Sequence, residues 1–422
     1  MSRQTRRSFL KNSTAASVAF STFAISGTKS SGKVIGANDT VRVGVCGIRG
    51  RGGSHIKAFS GQDKVDVAYL VDVDSTQFDS RVRYLEDHGC PTPVCVQDIR
   101  EALDDKDLDA ISIATCNHTH SLYTIWACQA GKDVYVEKPM SHNVFEGRKC
   151  VEAARTYNRI VQHGTQQRSS QKRANEIAAL QSGKYGKLLV SKGYCCKPRW
   201  SIGFKPLTDP PAHLDFNLWL GPAPVQPYHE NLVHYNWHWF WDFGNGDVGN
   251  QGVHEMDVAR WAIEDATLPN RVWSLGGRFG YQDQGQTPNT LLSVLEFGET
   301  LLVFETRGLV GKKTGFPFQV LNEYYTTDGK ISGGQFTPHA GGASQPVSGG
   351  SPRTVACDGQ PFTAFIQAVR SRNPEHNNAD AEVAHYSSAL CHLANVSYQL
   401  GKPVPFDAQN KALGDSQQVV EA

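Results

Sequence analysis

Three things are scarce in this chain of 422 residues. Long apolar runs are absent: no stretch of eighteen consecutive apolar residues occurs, so no segment reads as a membrane span. A charge excess of either sign is absent too. The 42 Lys and Arg against 41 Asp and Glu leave a formal +1, which gives no basic face for nucleic acid. The third scarcity is cysteine in pairs at ligand spacing. There are ten cysteines but no C-x-x-C; Cys195 and Cys196 are adjacent and the others are scattered through apolar segments. That gives no metal framework, and most of these thiols read as small buried hydrophobes, although a disulfide pairing stays open. No internal repeat occurs. The length exceeds one ordinary core and implies two domains.

Acidic residues are also missing from the first 26 positions, which hold Arg3, Arg6, Arg7 and Lys11. Thr5-Arg6-Arg7-Ser8-Phe9-Leu10-Lys11 matches the twin-arginine export pattern, and a weakly apolar stretch, Ala15 to Ile25, follows it. Residues 1–37 are read as this signal and a linker. The cleavage site is poorly marked, with only a loose small-x-small match at Ala24-Ile25-Ser26. Loss of residues 1–26 takes the formal charge from +1 to −3. The expected destination is the periplasm or cell exterior, reached by a route that carries folded proteins. A cofactor that cannot be replenished there has to be held tightly and recycled.

What is present begins with Val41-Arg42-Val43-Gly44-Val45-Cys46, a buried strand that runs into Gly47-Ile48-Arg49-Gly50-Arg51-Gly52-Gly53-Ser54-His55 and a helix from His55 to Ser60. Strand, glycine-rich turn and helix form the setting of a dinucleotide fingerprint, in which backbone N–H groups approach a pyrophosphate at a helix amino terminus. The G-x-G-x-x-G register is imperfect, with Arg49 at the middle glycine and Gly50 after it. The second strand, Val65 to Val71, ends at Asp72, an acid suited to the two ribose hydroxyls of NAD and unsuited to the extra phosphate of NADP. Arg49 or Arg51 could soften that preference.

Strand and helix go on alternating. Val94 to Val96, Ala110 to Thr115, Val134 to Val136 and Arg159 to Gln162 read as strands; Asp98 to Asp104, Ser121 to Ala130 and Asn143 to Tyr157 read as helices. Such alternation specifies a doubly wound parallel sheet over residues 38–163. The strand Val134 to Val136 breaks at Pro139, which puts Glu137 and Lys138 at its carboxyl end, the edge where such sheets bind ligands. A lysine held there against an apolar sheet end can lose enough basicity to exchange protons near neutrality.

The order of a Gly-rich turn, Asp72, Thr115-Cys116-Asn117-His118-Thr119-His120 and Glu137-Lys138-Pro139 resembles the Gfo/Idh/MocA oxidoreductases, relatives of glucose–fructose oxidoreductase and inositol dehydrogenase. The resemblance runs from about Asn38 onwards. It implies a Rossmann-type domain followed by an α/β domain with an open sheet used for substrate contact and often for dimerisation. It also implies that Lys138 is the acid/base near the nicotinamide and that the Lys138–Pro139 bond is cis. The residues expected to hold the cofactor are Gly47, Ile48, Arg49, Gly50, Gly52 and Asp72, then Thr115, Asn117, His120, Glu137 and Lys138.

From Gly164 the pattern changes to strands in succession: Leu188 to Cys195, Arg271 to Leu275, Leu291 to Phe297, Leu301 to Glu305 and Phe318 to Tyr325. This predicts a mostly antiparallel sheet in residues 164–422. Pro361 to Arg370 and Ala381 to Leu400 read as helices, which the family architecture returns to the first domain. An aromatic, histidine-rich run, Tyr228 to Asp242, suits sugar stacking or a buried cluster equally well. Its histidines have no ligand spacing, and no metal is expected. Gly244 to Asp257 enters a helix on which Asn250 and His254, four apart, share a face. The related family carries Asp-x-x-x-His there, both residues touching the reacting hydroxyl. Asn250 removes one base, leaving Lys138 and His254 as proton carriers, and Asp247 is expected to cap the helix.

The expected activity is hydride transfer to or from a sugar or cyclitol hydroxyl carbon, with NAD favoured over NADP. Lys138, His254 and Asn250 are the catalytic candidates, and the partners are a small carbohydrate or polyol and a second copy of the chain. The alternatives are an NAD-recycling glycosidase, which oxidises, eliminates and reduces again, and a sugar-binding relative without catalysis.

Overall fold

The computed structural model describes residues 39–405. The twin-arginine stretch and the rest of residues 1–38 lie outside them. The first sheet contains β1 (Val41–Cys46), β2 (Val65–Val71), β3 (Val94–Val96), β4 (Ala110–Ile113), β5 (Asp133–Val136) and β6 (Val161–His163). All pairings are parallel, in the order β3-β2-β1-β4-β5-β6. The order reverses between β1 and β4, which opens the ligand-binding crevice of a doubly wound sheet at their carboxyl ends. Helices α1 (Gly50–Ser60), α2 (Phe78–Asp87), α3 (Ile99–Asp104), α4 (Asn117–Gln129) and α5 (Val144–Thr156) connect the strands. Two expectations shift. The first helix begins at Gly50 rather than His55, because the glycines themselves wind its opening turns. Helix α2, not foreseen, fully buries only Leu85 and packs Phe78, Val82 and Tyr84 partly buried against the core.

After α6 (Gln171–Gln181) the chain enters a nine-stranded sheet through β7 (Leu188–Cys196). A short helix, α7 (Phe216–Leu220), then precedes α8 (Val253–Trp261). The sheet is completed by β8 (Arg271–Gly277), β9 (Thr290–Phe297), β10 (Thr300–Arg307), β11 (Gln319–Thr326), β12 (Gly329–Ser332), β13 (Gln335–Pro338), β14 (Gln345–Pro346) and β15 (Val404–Pro405). Its order is β14-β13-β12-β11-β7-β10-β9-β8-β15, antiparallel except for β7 against β10. Alternation decides its faces: Val272, Leu295 and Leu302 point inward and pack on Met256 of α8, while Trp273, Leu275, Leu292 and Leu301 point outward and are exposed.

Two late helices bind the sheets together. Helix α9 (Pro361–Ser371) lays Phe365, Ile366 and Val369 into the core beneath Val41 and Val43. Helix α10 (Ala381–Leu400) puts Ala381 and Ala384 into the core around β4 and β5, and Leu390 and Leu393 into that of the second sheet. It also hydrogen-bonds the stretch after β5: Ser388 Oγ accepts from Met140 N at 3.0 Å, and His392 Nε2 lies 3.0 Å from Ser141 Oγ. All ten cysteines are free, and six are buried.

Candidate active site

The glycine-rich turn is built by close approach. Gly47 adopts φ +78°, and a Cβ on Gly52 would stand 1.8 Å from the Gly47 carbonyl oxygen. Only glycine at both positions lets β1 turn directly into α1. The first N–H groups of that helix then face the crevice without intrahelical acceptors, a ready anion site. Asp72, just past β2, accepts from Ile48 N at 2.9 Å and Asp74 N at 3.0 Å, so turn and acid form one unit. Burial raises its pKa to about 6 against the pull of these hydrogen bonds.

A cleft of about 370 Å³ opens here. Gly47, Arg49, Asp72 and Val73 line it together with Trp219, His234, Tyr235, Trp237 and His238. Thr115, Asn117 and His120 line it from the start of α4, and Glu137 and Lys138 from the end of β5. All the sequence-derived cofactor residues except Ile48 and Gly52 therefore border one space, and those two shape the turn behind it. Asn117 leaves a buried carbonyl oxygen, Oδ1, without a hydrogen-bond partner. The donor-rich helix start, the ribose-type acid and this free acceptor fit a dinucleotide.

Glu137 is the most heavily engaged side chain of the group. Its Oε1 accepts from Arg51 Nε at 2.6 Å and lies 3.0 Å from His55 Nε2, while His55 Nδ1 is 2.8 Å from Ser112 Oγ. Burial works against a charged Glu137, but the His55 contact and the Arg51 and Lys138 charges hold it well below the usual carboxylate range. Burial keeps His55 neutral. An ionised acceptor at Nε2 therefore fixes the tautomer with the proton on Nε2 and the Ser112 hydroxyl donating to Nδ1. Neither Arg51 nor His55 was a site residue on sequence grounds. Arg51, read as a group that could soften the choice of NAD, is committed to Glu137 instead.

The Lys138–Pro139 bond is cis, as the resemblance implied. His120 bridges the two sides of this corner, its ring nitrogens 2.7 Å from the Pro139 carbonyl and 3.1 Å from that of Thr115. Lys138 Nζ donates to the backbone carbonyl of Asn250. Burial lowers the lysine pKa, and the Glu137 charge partly restores it.

Residues Val248–Gly252, just before α8, form a wide π-helical turn. Asn250 thus offers Lys138 its carbonyl, and its side chain points to Tyr235, with Nδ2 3.5 Å from the phenol oxygen. His254 is not among the residues lining the cleft. Burial, followed by the Lys138 charge, drops its pKa to about 3. Asp247 makes no side-chain cap bond. It is almost wholly buried and receives Arg199 Nε at 3.0 Å and Nη2 at 2.8 Å, so an ion pair takes the carboxylate that was expected at the helix end. Within the aromatic run, Trp237 faces the cleft; Trp239 is buried under the Arg199 guanidinium, and Trp241 lies against Tyr398. No cluster of three or more His, Cys, Asp or Glu suited to a metal exists among the described residues.

Two family models match the chain. "Oxidoreductase family, NAD-binding Rossmann fold" covers residues 41–165, and "Oxidoreductase family, C-terminal alpha/beta domain" covers residues 186–275. The chain belongs to the Gfo/Idh/MocA oxidoreductase family, and its first sheet is an NAD-binding Rossmann fold. A glycosyl hydrolase family 109 protein of Shewanella pealeana is 27% identical over 179 residues, 40% of this chain and 39% of that protein. The levoglucosan dehydrogenase of Pseudarthrobacter phenanthrenivorans is 25% identical over 177 residues, 42% of this chain and 38% of that protein. The chain thus matches about two fifths of the length of these curated relatives. The crystal structure of the WlbA dehydrogenase from Bordetella pertussis, in complex with NADH and UDP-GlcNAcA, superposes with a TM-score of 0.64 over 87% of this chain and 99% of that one. At 15% identity that likeness establishes the fold.

Proposed function

We propose that the protein is an NAD-dependent dehydrogenase acting on a sugar or cyclitol hydroxyl. The observation that carries this is Lys138: a lysine of lowered basicity that lines the same cleft as the dinucleotide turn and is held by the Asn250 carbonyl. Bound NAD supplies the hydride acceptor or donor. Lys138 Nζ takes the hydroxyl proton as the C–H bond is broken, and returns it in the reverse direction. The Asn250 carbonyl occupies one N–H of that amine and so orients it. Glu137, clamped by Arg51 and His55, fixes the backbone that carries the lysine; Lys138 N donates to its Oε2 at 3.3 Å. His254, outside the cleft lining and held neutral by burial, is a weak base there, which leaves Lys138 as the proton carrier. Tyr235, Trp237 and His238 offer faces and polar edges suited to a sugar ring.

Replacing Lys138 with Ala is expected to lower kcat by roughly 10²–10⁴-fold, the usual worth of a positioned acid/base, with NAD still bound. Turnover at the wild-type rate would sink the assignment. The match to the glycosyl hydrolase family 109 protein favours a second reading, in which oxidation, elimination of the glycosidic group and reduction follow on one bound cofactor. Cleavage of a chromogenic glycoside without net NADH supports that reading; stoichiometric NADH from a free polyol supports the first. Export by the twin-arginine route, supported by Thr5 to Lys11, predicts that a reporter fused to residues 1–38 leaves the cytoplasm and stays inside when Arg6 and Arg7 become Lys. The outward apolar side chains of the second sheet support pairing with a second copy of the chain.

A further inference from the structure

Residues 197–247 leave the second sheet after β7 and cross to the first. Trp219, Leu232, Trp237 and Phe243 form a small core of their own, against which Val73 and Cys116 of the first sheet's ligand edge pack. The backbone is stitched there as well: Ser75 N donates to the His213 carbonyl and Asp215 N to the Val73 carbonyl, both at 2.9 Å. Between these bonds lies Asp74, 1% exposed, with His213 Nδ1 2.8 Å from Oδ1 and His234 Nε2 2.9 Å from Oδ2. Thr76 and Gln77 donate to the same carboxylate and keep it in place. His234, Tyr235, Trp237 and His238 line the cleft, as does Asp72, which accepts from Asp74 N.

We propose that residues 197–247 are a retention strap over the dinucleotide, and that Asp74 is the positioning residue that latches it through His213 and His234. The acid facing the ribose and the acid fastening the strap belong to one hydrogen-bonded turn. Whatever orders Asp72 orders Asp74, so occupancy of the cleft and closure of the strap favour each other. A dinucleotide held in this way leaves the cleft more slowly than it would without the latch. The inference rests on the NAD site and not on the redox reading of it.

The test is release of NADH from the full chain, followed by nicotinamide fluorescence after a chase with excess NAD, with no substrate present. Asp74→Asn and His234→Ala are expected to release NADH roughly 10- to 100-fold faster, the worth of a hydrogen bond to a charged group. His213→Ala, whose side chain is 43% exposed, has a smaller effect in the same direction. The Asp74→Asn/His234→Ala double variant adds little to either single one, because both break the same latch. If Asp74→Asn does not fold, the two histidine variants carry the test. Unchanged release in folded His213→Ala and His234→Ala overturns the strap alone; a wild-type chain that binds no NADH overturns the strap and the site together.

Discussion

A carboxylate at Asp72 is a better acceptor for ribose hydroxyls than a carboxylic acid, and burial raises its pKa to about 6. Cofactor that prefers the ionised form releases a proton on binding, so affinity rises with pH and levels off above about pH 6. Titrations of NAD should show the Kd climbing as pH falls from 7 to 5, and Asp72→Asn should remove the slope. Lys138 has the opposite charge logic: burial favours its neutral, base-competent form, so oxidation should speed up with rising pH until that pKa is passed. Asp72 and Lys138 were legible in the sequence because each stands at the carboxyl end of a strand whose apolar run stops abruptly. Arg51 and His55 were not, since their common partner Glu137 lies 86 and 82 residues further along the chain. Nothing local distinguishes such a pair from solvated polar residues on a helix.

At the scale of elements, the glycine turn makes the sharpest demand. A methyl at Gly52 would have to displace the Gly47 carbonyl, which is backbone and cannot swing aside. Gly52→Ala is therefore expected to cost about 3 kcal/mol of stability, the upper end for overpacking, and to abolish NAD binding, read by calorimetry and thermal melts. Gly50→Ala, with open space around its Cβ position, should be nearly silent in stability. Strand-helix alternation in the first sheet and successive strands in the second were legible because apolar runs of strand length recur between turn residues. Helix α2 was missed although Phe78, Val82 and Leu85 recur at helical spacing, because charged residues fill most of the positions between them. The contact of Lys138 with the Asn250 carbonyl, rather than with its side chain, escaped for a different reason. A four-residue spacing assumes 3.6 residues per turn, and the π-helical turn at Val248–Gly252 widens the winding where the site needs the Asn250 carbonyl.

The whole molecule carries two further consequences, one in its interior and one on its surface. His118, His385 and His392 are buried, and burial above all lowers each pKa to about 3. A folded pKa below the ordinary 6.5 means that the unfolded chain takes up more protons. The stability these histidines contribute is complete above pH 6.5 and is lost as pH falls towards 3, on the order of 2 kcal/mol each at pH 5. Thermal melts between pH 7.5 and 5 should show a falling Tm, and His385→Gln should flatten the fall. On the surface, the second sheet buries one face under α8 and α10 and turns the other outward, with Trp273 at 50% exposure and Leu275 at 58%. Their cross-strand neighbours on that face, Val294 and Leu292, continue the apolar patch onto β9. An apolar patch on an outward sheet face is the kind of surface that a stable pairing of copies buries, typically about 1,200–2,000 Å² in total. Trp273→Glu places a charge at its centre while leaving Val272, on the opposite face, in its core. The variant should melt close to the wild type yet elute at a smaller mass in light scattering. A wild-type chain already monomeric at micromolar concentration would remove the argument.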